Sequence, residues 1–137
     1  MTHPIRTVLA LWVLASSWPA SSARAAEQTL ALDPAATTIA FALGATLHTV
    51  EGSVRLSSGE IRFDLVTGVA SGEIDVDARS ATTGSESRDR NMHRDVLESE
   101  KYPRIAFRAE QVRVVHRDPA GAVVELAGQL DLHGQAR

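Results

Sequence analysis

Glu60-Ile-Arg-Phe-Asp-Leu65 sends Ile61, Phe63 and Leu65 to one side of an extended chain and Glu60, Arg62 and Asp64 to the other. Strict alternation of this kind is what a strand with one wet face requires, because successive side chains point to opposite faces. Working outward, Glu73-Ile-Asp-Val-Asp-Ala78 repeats the pattern with Ile74, Val76 and Ala78 inward. Residues 38–43 offer Ile39, Phe41 and Leu43, and residues 53–57 offer Val54 and Leu56. A short segment, Thr29-Leu-Ala-Leu32, is a further candidate strand. Ser57-Ser-Gly59, Thr67-Gly68 and Ser71-Gly72 read as turns between these strands, and Gly52 and Gly84 as further turn residues.

Downstream, the parity of the pattern changes within residues 104–115. Ile105, Phe107 and Ala109 are odd-numbered, whereas Val112 and Val114 are even, so one extra residue near Glu110-Gln111 restores the register as a β-bulge. Asp118-Pro-Ala-Gly121 has the proline and glycine positions of a type I turn. It leads into residues 123–133, where Val124, Leu126, Leu130 and Leu132 alternate with polar neighbours. Only residues 86–104 escape period two. They carry five bases and five acids, with Met92, Val96 and Leu97 at the spacing of a narrow helical stripe. Tyr102-Pro103 is expected to end that helix.

Six or seven short alternating strands with tight turns make the chain all-β, an antiparallel sheet that closes into a lipocalin-like barrel with one short helical segment. A barrel of about eight strands has an interior wide enough for side chains or one small ligand. The sequence reaches Arg137 through Leu132-His-Gly134, which reads as the end of one strand and a turn towards another, so C-terminal strands are expected to be missing. Residues 1–25 have a basic start, an apolar run at 8–15 and Ala23-Arg-Ala25 at the end, the pattern of a secretory signal peptide. Residues 26–137 then form one domain. Removing Arg6 and Arg24 takes the formal charge from −3 to −5. A concentrated basic face for nucleic acid is not in prospect, nor is a membrane span, which needs about 20 apolar residues. With no cysteine, an exported domain of this kind depends on packing alone. The expected location is the periplasm, or the medium after full secretion.

Four stretches carry a family resemblance: Leu32-Asp-Pro-Ala-Ala-Thr-Thr-Ile-Ala-Phe41; Val50-Glu-Gly-Ser-Val54 with Gly59-Glu-Ile-Arg-Phe-Asp64; Arg88-Asp89, His93, Leu97 and Glu98-Ser-Glu-Lys-Tyr-Pro-Arg-Ile-Ala-Phe107; and Gly128-Gln-Leu-Asp-Leu-His-Gly134. Together they resemble the YceI-like family of exported, polyisoprenoid-binding, lipocalin-like proteins over roughly residues 30–134. The family's closing strands are absent here. The resemblance implies a binding protein with an apolar tunnel for an isoprenoid chain, such as a quinone or polyprenyl lipid, and no cofactor beyond that ligand. Candidate lining residues are Ile39, Phe41, Leu43, Phe63, Leu65, Ile74, Val76, Ile105, Phe107, Leu130 and Leu132. The same residues could instead fill one another's space as a dry core.

The remaining constellations admit plainer readings. Arg88-Asp89 is expected to brace the helical segment as a lid over the barrel mouth, the alternative being contact with a polar headgroup. His48, His93 and His133 lie in three separate segments without the spacing of a zinc pair and read as solvated surface histidines, so no metal is expected. Asp89, His93 and Asp95 with Ser87 could be imagined as an acid/base group. Nothing in the sequence enforces catalytic geometry there, a helix face laced with salt bridges accounts for them at less cost, and no catalytic residue is assigned. Two rival functions stay open: a module docking a membrane or periplasmic partner, and an enzyme acting on a lipid or small secreted metabolite. The oligomeric state is open too, a homodimer included.

Overall fold

The computed structural model of the protein describes residues 26–44 and 47–136; the signal-peptide reading of residues 1–25 lies outside them. Seven strands form one antiparallel sheet: β1 (Gln28–Ala31), β2 (Ile39–Gly44), β3 (Thr49–Phe63), β4 (Ala70–Thr82), β5 (Arg104–Asp118), β6 (Gly121–Leu132) and β7 (Gln135–Ala136). Strands β3 to β7 follow in order. β1 and β2 share the outer edge of β3, β2 against its first half and β1 against its last four residues. Among the described residues no ladder joins β6 or β7 back to β1 or β2. The antiparallel all-β architecture is therefore as expected, but the sheet is a partial barrel rather than a closed one.

Strand β3 corrects the sequence reading most instructively. Residues 53–57 and 60–65 are not two strands around a turn. They belong to one strand of 15 residues, and Ser57-Ser-Gly59 holds a register shift against β4 between Leu56 and Ser58. The buried side chain is Leu56 before the bulge and Ile61 after it, so the inward parity flips from even to odd while the strand continues. Gly52 and Gly59 thus lie within β3 rather than in turns; Gly84, with φ +78°, does precede the helix. The bulge expected near Glu110-Gln111 is present between Ala109 and Gln111, with a second shift between Val114 and His116. Asp118 organises the β5–β6 hairpin, its Oδ1 accepting the amides of Ala120 (2.8 Å) and Gly121 (3.0 Å).

Ser71-Gly72 is likewise not a turn but part of β4, opposite Ile61. Gly72 has φ +105°, and a Cβ there would stand 2.1 Å from the Glu60 carbonyl oxygen. Both conditions demand glycine.

Between β4 and β5, residues Glu86–Asn91 form helix α1, which runs directly into a π-helical turn over Met92–Val96. Its end comes earlier than Tyr102-Pro103. The Leu97 amide bonds the Met92 carbonyl, and Glu98 then leaves the helix with φ +43°.

The concave face carries two different interiors. Towards the far end of β3, Ile61, Ala70, Ala109 and Val112 are buried together, with Phe63, Leu65, Ile74, Phe107 and Leu126 packed around them. At the other end Leu56 and Val76 are buried, but Leu43 and Leu130 stay exposed and Phe41 and Phe107 half-buried. Five of the nine buried apolar residues are alanines, and no large side chain is fully enclosed among the described residues. That part of the interior is not filled by its own side chains. Gly72→Ala is expected to lower the unfolding free energy by about 2 kcal/mol or more, from left-handed strain plus the backbone clash. Urea denaturation checks this; an unchanged midpoint would show that β3 and β4 are not locked at this crossing.

Candidate functional site

An apolar hollow of about 590 Å³ opens on the concave face. Its floor is set by strand register. Ile74 on β4 pairs with Phe107 on β5, which pairs in turn with Leu130 on β6, forming one row across three strands. Val76 and Ile105 make the next row. One wall comes from β2, whose Ile39, Phe41 and Leu43 stand opposite Val54, Gly52 and Val50 of β3. Gly52 is a strand glycine because the Phe41 ring lies over it; a Cβ there would fall 2.3 Å from the ring.

Nine of the expected lining residues meet in this hollow: Ile39, Phe41, Leu43, Ile74, Val76, Ile105, Phe107, Leu130 and Leu132. Phe63 and Leu65 do not. They pack against the buried Ile61–Val112 cluster instead, and this corrects the sequence expectation. Their face was right and their height was wrong. Phe63 lies eleven residues beyond Gly52, about 36 Å along a strand that rises ~3.3 Å per residue. Periodicity reports which face a residue occupies, not where along the strand it sits.

The hollow also takes residues beyond the expected lining. Leu32, Val54 and Ala81 come from the strands and their ends, and Met92, Val96 and Leu97 from the helical segment. The apolar stripe at 92, 96 and 97 was the signal for the last three. Among the described residues Thr37 supplies the only hydroxyl of the lining, and no charged side chain lines it.

The polar residues of the helical segment fasten it to β4. Asp89 accepts hydrogen bonds from the hydroxyls of Thr83 (2.6 Å) and Thr82 (2.7 Å) and from the Thr83 amide (2.8 Å). Arg88 is exposed and forms no ion pair among the described residues, so the expected Arg88–Asp89 brace resides in Asp89 alone. His93 is not a solvated histidine. Its Nε2–H donates to the Ala81 carbonyl (2.8 Å), which leaves Nδ1 to accept from the buried Ser99 hydroxyl (2.9 Å). Ser87 Oγ lies near Ser85 Oγ (3.5 Å) and His93 uses both ring nitrogens elsewhere, so Ser87, Asp89, His93 and Asp95 are not assembled as a catalytic group. His133 is half-buried and touches Glu98, while His48 is exposed. Among the described residues no three His, Cys, Asp or Glu side chains gather in a metal-binding group. A second, open depression of about 760 Å³ follows the polar side of the segment, lined by four bases and four acids that balance in charge.

The Thr83 and Thr82 hydroxyls hold the Asp89 carboxyl below the usual carboxylate range. A depressed folded-state pKa gives stability that is complete above the unfolded value of about 3.9 and lost as pH falls through the folded value. Amide protection over residues 86–97 should therefore stay level from neutral pH down to about pH 5 and fall only at stronger acidity. Asp89→Asn should lower that protection already at pH 7 and flatten its acid limb. Wild-type protection in the variant would remove Asp89 as the anchor.

None of the curated proteins compared matches the chain. A family model described as the YceI-like domain matches residues 30–137, which takes in the last two residues of β1, strands β2 to β7 and the helical segment. By that match the chain belongs to the YceI-like family.

Proposed function

We propose that the protein is a periplasmic or secreted carrier that holds the hydrocarbon chain of an isoprenoid, quinone or similar apolar lipid in the hollow on its concave face. One observation carries the reading: sixteen residues line about 590 Å³, and Thr37 is the only polar one among them. A volume in the range of small-molecule sites (about 300–1,000 Å³) with such a wall suits hydrocarbon and little else. Each buried methylene contributes about 0.8 kcal/mol. Ten of them give ~8 kcal/mol before ordering costs, which corresponds to a micromolar gross affinity without a single polar contact. The family's association with polyisoprenoid binding points the same way. Binding rather than catalysis also agrees with the fastening roles of Asp89 and His93. The exported location rests on the signal-peptide reading of residues 1–25. No helix among the described residues is long and apolar enough to cross a membrane.

The test separates the two interiors. Phe107→Arg, which puts an unpaired charge in the floor, and the milder Leu130→Asp at the more exposed end of the same row should abolish uptake of geranylgeraniol, a four-isoprene alcohol. Phe63→Ala should leave stoichiometric uptake intact while lowering stability by about 2 kcal/mol, below the range for a fully enclosed phenylalanine because Phe63 is only partly buried. Circular dichroism would check the fold and native mass spectrometry the bound lipid. Full uptake by a folded Leu130→Asp or Phe107→Arg protein overturns the proposal.

A further inference from the structure

The helical segment lines the hollow with Met92, Val96 and Leu97 and is fastened at both ends, but in different ways. At its start it is held firmly to the strand it leaves, by the Asp89 bonds to Thr82 and Thr83 and the His93 bond to the Ala81 carbonyl. At its end side-chain contacts tie it to the β6–β7 turn, the polar one being His133 Nε2 meeting Glu98 Oε2. The His133 ring also leans on Tyr102, centroids 4.3 Å apart. Glu98 follows Leu97 and His133 follows Leu132, and both leucines line the hollow. Any separation of Glu98 from His133 draws two lining side chains apart.

Backbone geometry singles out the same pair. Among the described residues only two besides glycine have positive φ, Glu98 at +43° and His133 at +57°. Left-handed backbone is disfavoured for side chains of this size and persists where surrounding contacts impose it. Both strained residues are partners in one contact, with roughly 41% and 35% of their side chains still exposed. A strained, half-exposed tie is a reversible one.

We infer that the Glu98–His133 contact is a latch: it holds the helical segment down over the hollow, and its release is the step that lets an occupant in or out. The inference rests on the carrier reading for the identity of the occupant, but not for the motion of the segment. Two readouts keep the failures apart. The first is release of diphenylhexatriene, a purely hydrocarbon fluorophore, from the full-length protein. Glu98→Asn and His133→Asn keep a residue that tolerates positive φ while removing the reach of the side chain. Each should speed release about ten-fold, the double variant should be no faster than either single one, and the exchanged pair, Glu98→His with His133→Glu, should restore slow release. The second readout is amide exchange over residues 92–101, which should rise in both single variants while β4 and β5 stay protected. Unchanged release and exchange in the single variants, additive effects in the double, or no rescue by the exchanged pair would each overturn the latch. If the unmodified protein takes up no fluorophore, the carrier reading falls, and the exchange measurement alone decides the latch.

Discussion

The row Ile74–Phe107–Leu130 is where the molecule's two interiors meet. Ile74 and Phe107 pack against the buried cluster on one side and line the hollow on the other, so they are both the wall of the core and the floor of the site. Their position follows from the registers of β4 on β5 and of β5 on β6, in which a single residue of slip would turn the whole row to solvent. The bulge at Ala109/Gln111 lies just beyond this row and resets parity so that Val112 joins the packed end. The β3 bulge has the same effect, letting one strand serve the hollow with Val54 and the packed cluster with Ile61.

Much of this is legible in the chain, and the misses have two origins, bulges that mimic turns and height that alternation does not encode. In residues 104–115 the hydrophobic run is long enough for a parity change to mark a bulge. Around Ser57-Ser-Gly59 the same change imitates a turn, because serine and glycine are turn-forming residues. Period two is blind to this distinction: a bulge and a tight turn both shift it by one, and only the partner strand decides. Partner β4 runs past the shift without a break. Gly72 misled for the same reason, since positive φ inside a strand and in a turn call for the same residue. Phe63 and Leu65 failed on height rather than face, which no alternation encodes.

Site chemistry was legible where it was apolar and opaque where it was polar. The stripe Met92, Val96, Leu97 announced a helical face that needed cover, and the hollow is what it covers. The partners of Asp89, His93 and His133 could not be read, because Thr83, Ala81 and Glu98 reach them only once β4, the helical segment and the β6–β7 turn are folded together. The π turn contributes here. By spacing Leu97 from Met92 over five residues it leads the chain into the bend at Glu98 and Ser99, where the Ser99 amide bonds the His93 carbonyl.

The hydrocarbon wall around a single threonine hydroxyl has a thermal corollary. A chain entering it would trade hydration for dispersion contact and little else, so association should carry a negative heat-capacity change and should not weaken with ionic strength. Its grip would slacken in the cold, where apolar burial loses its driving force. A wall of this composition would measure a guest by the length and thickness of its tail and leave the head group unread.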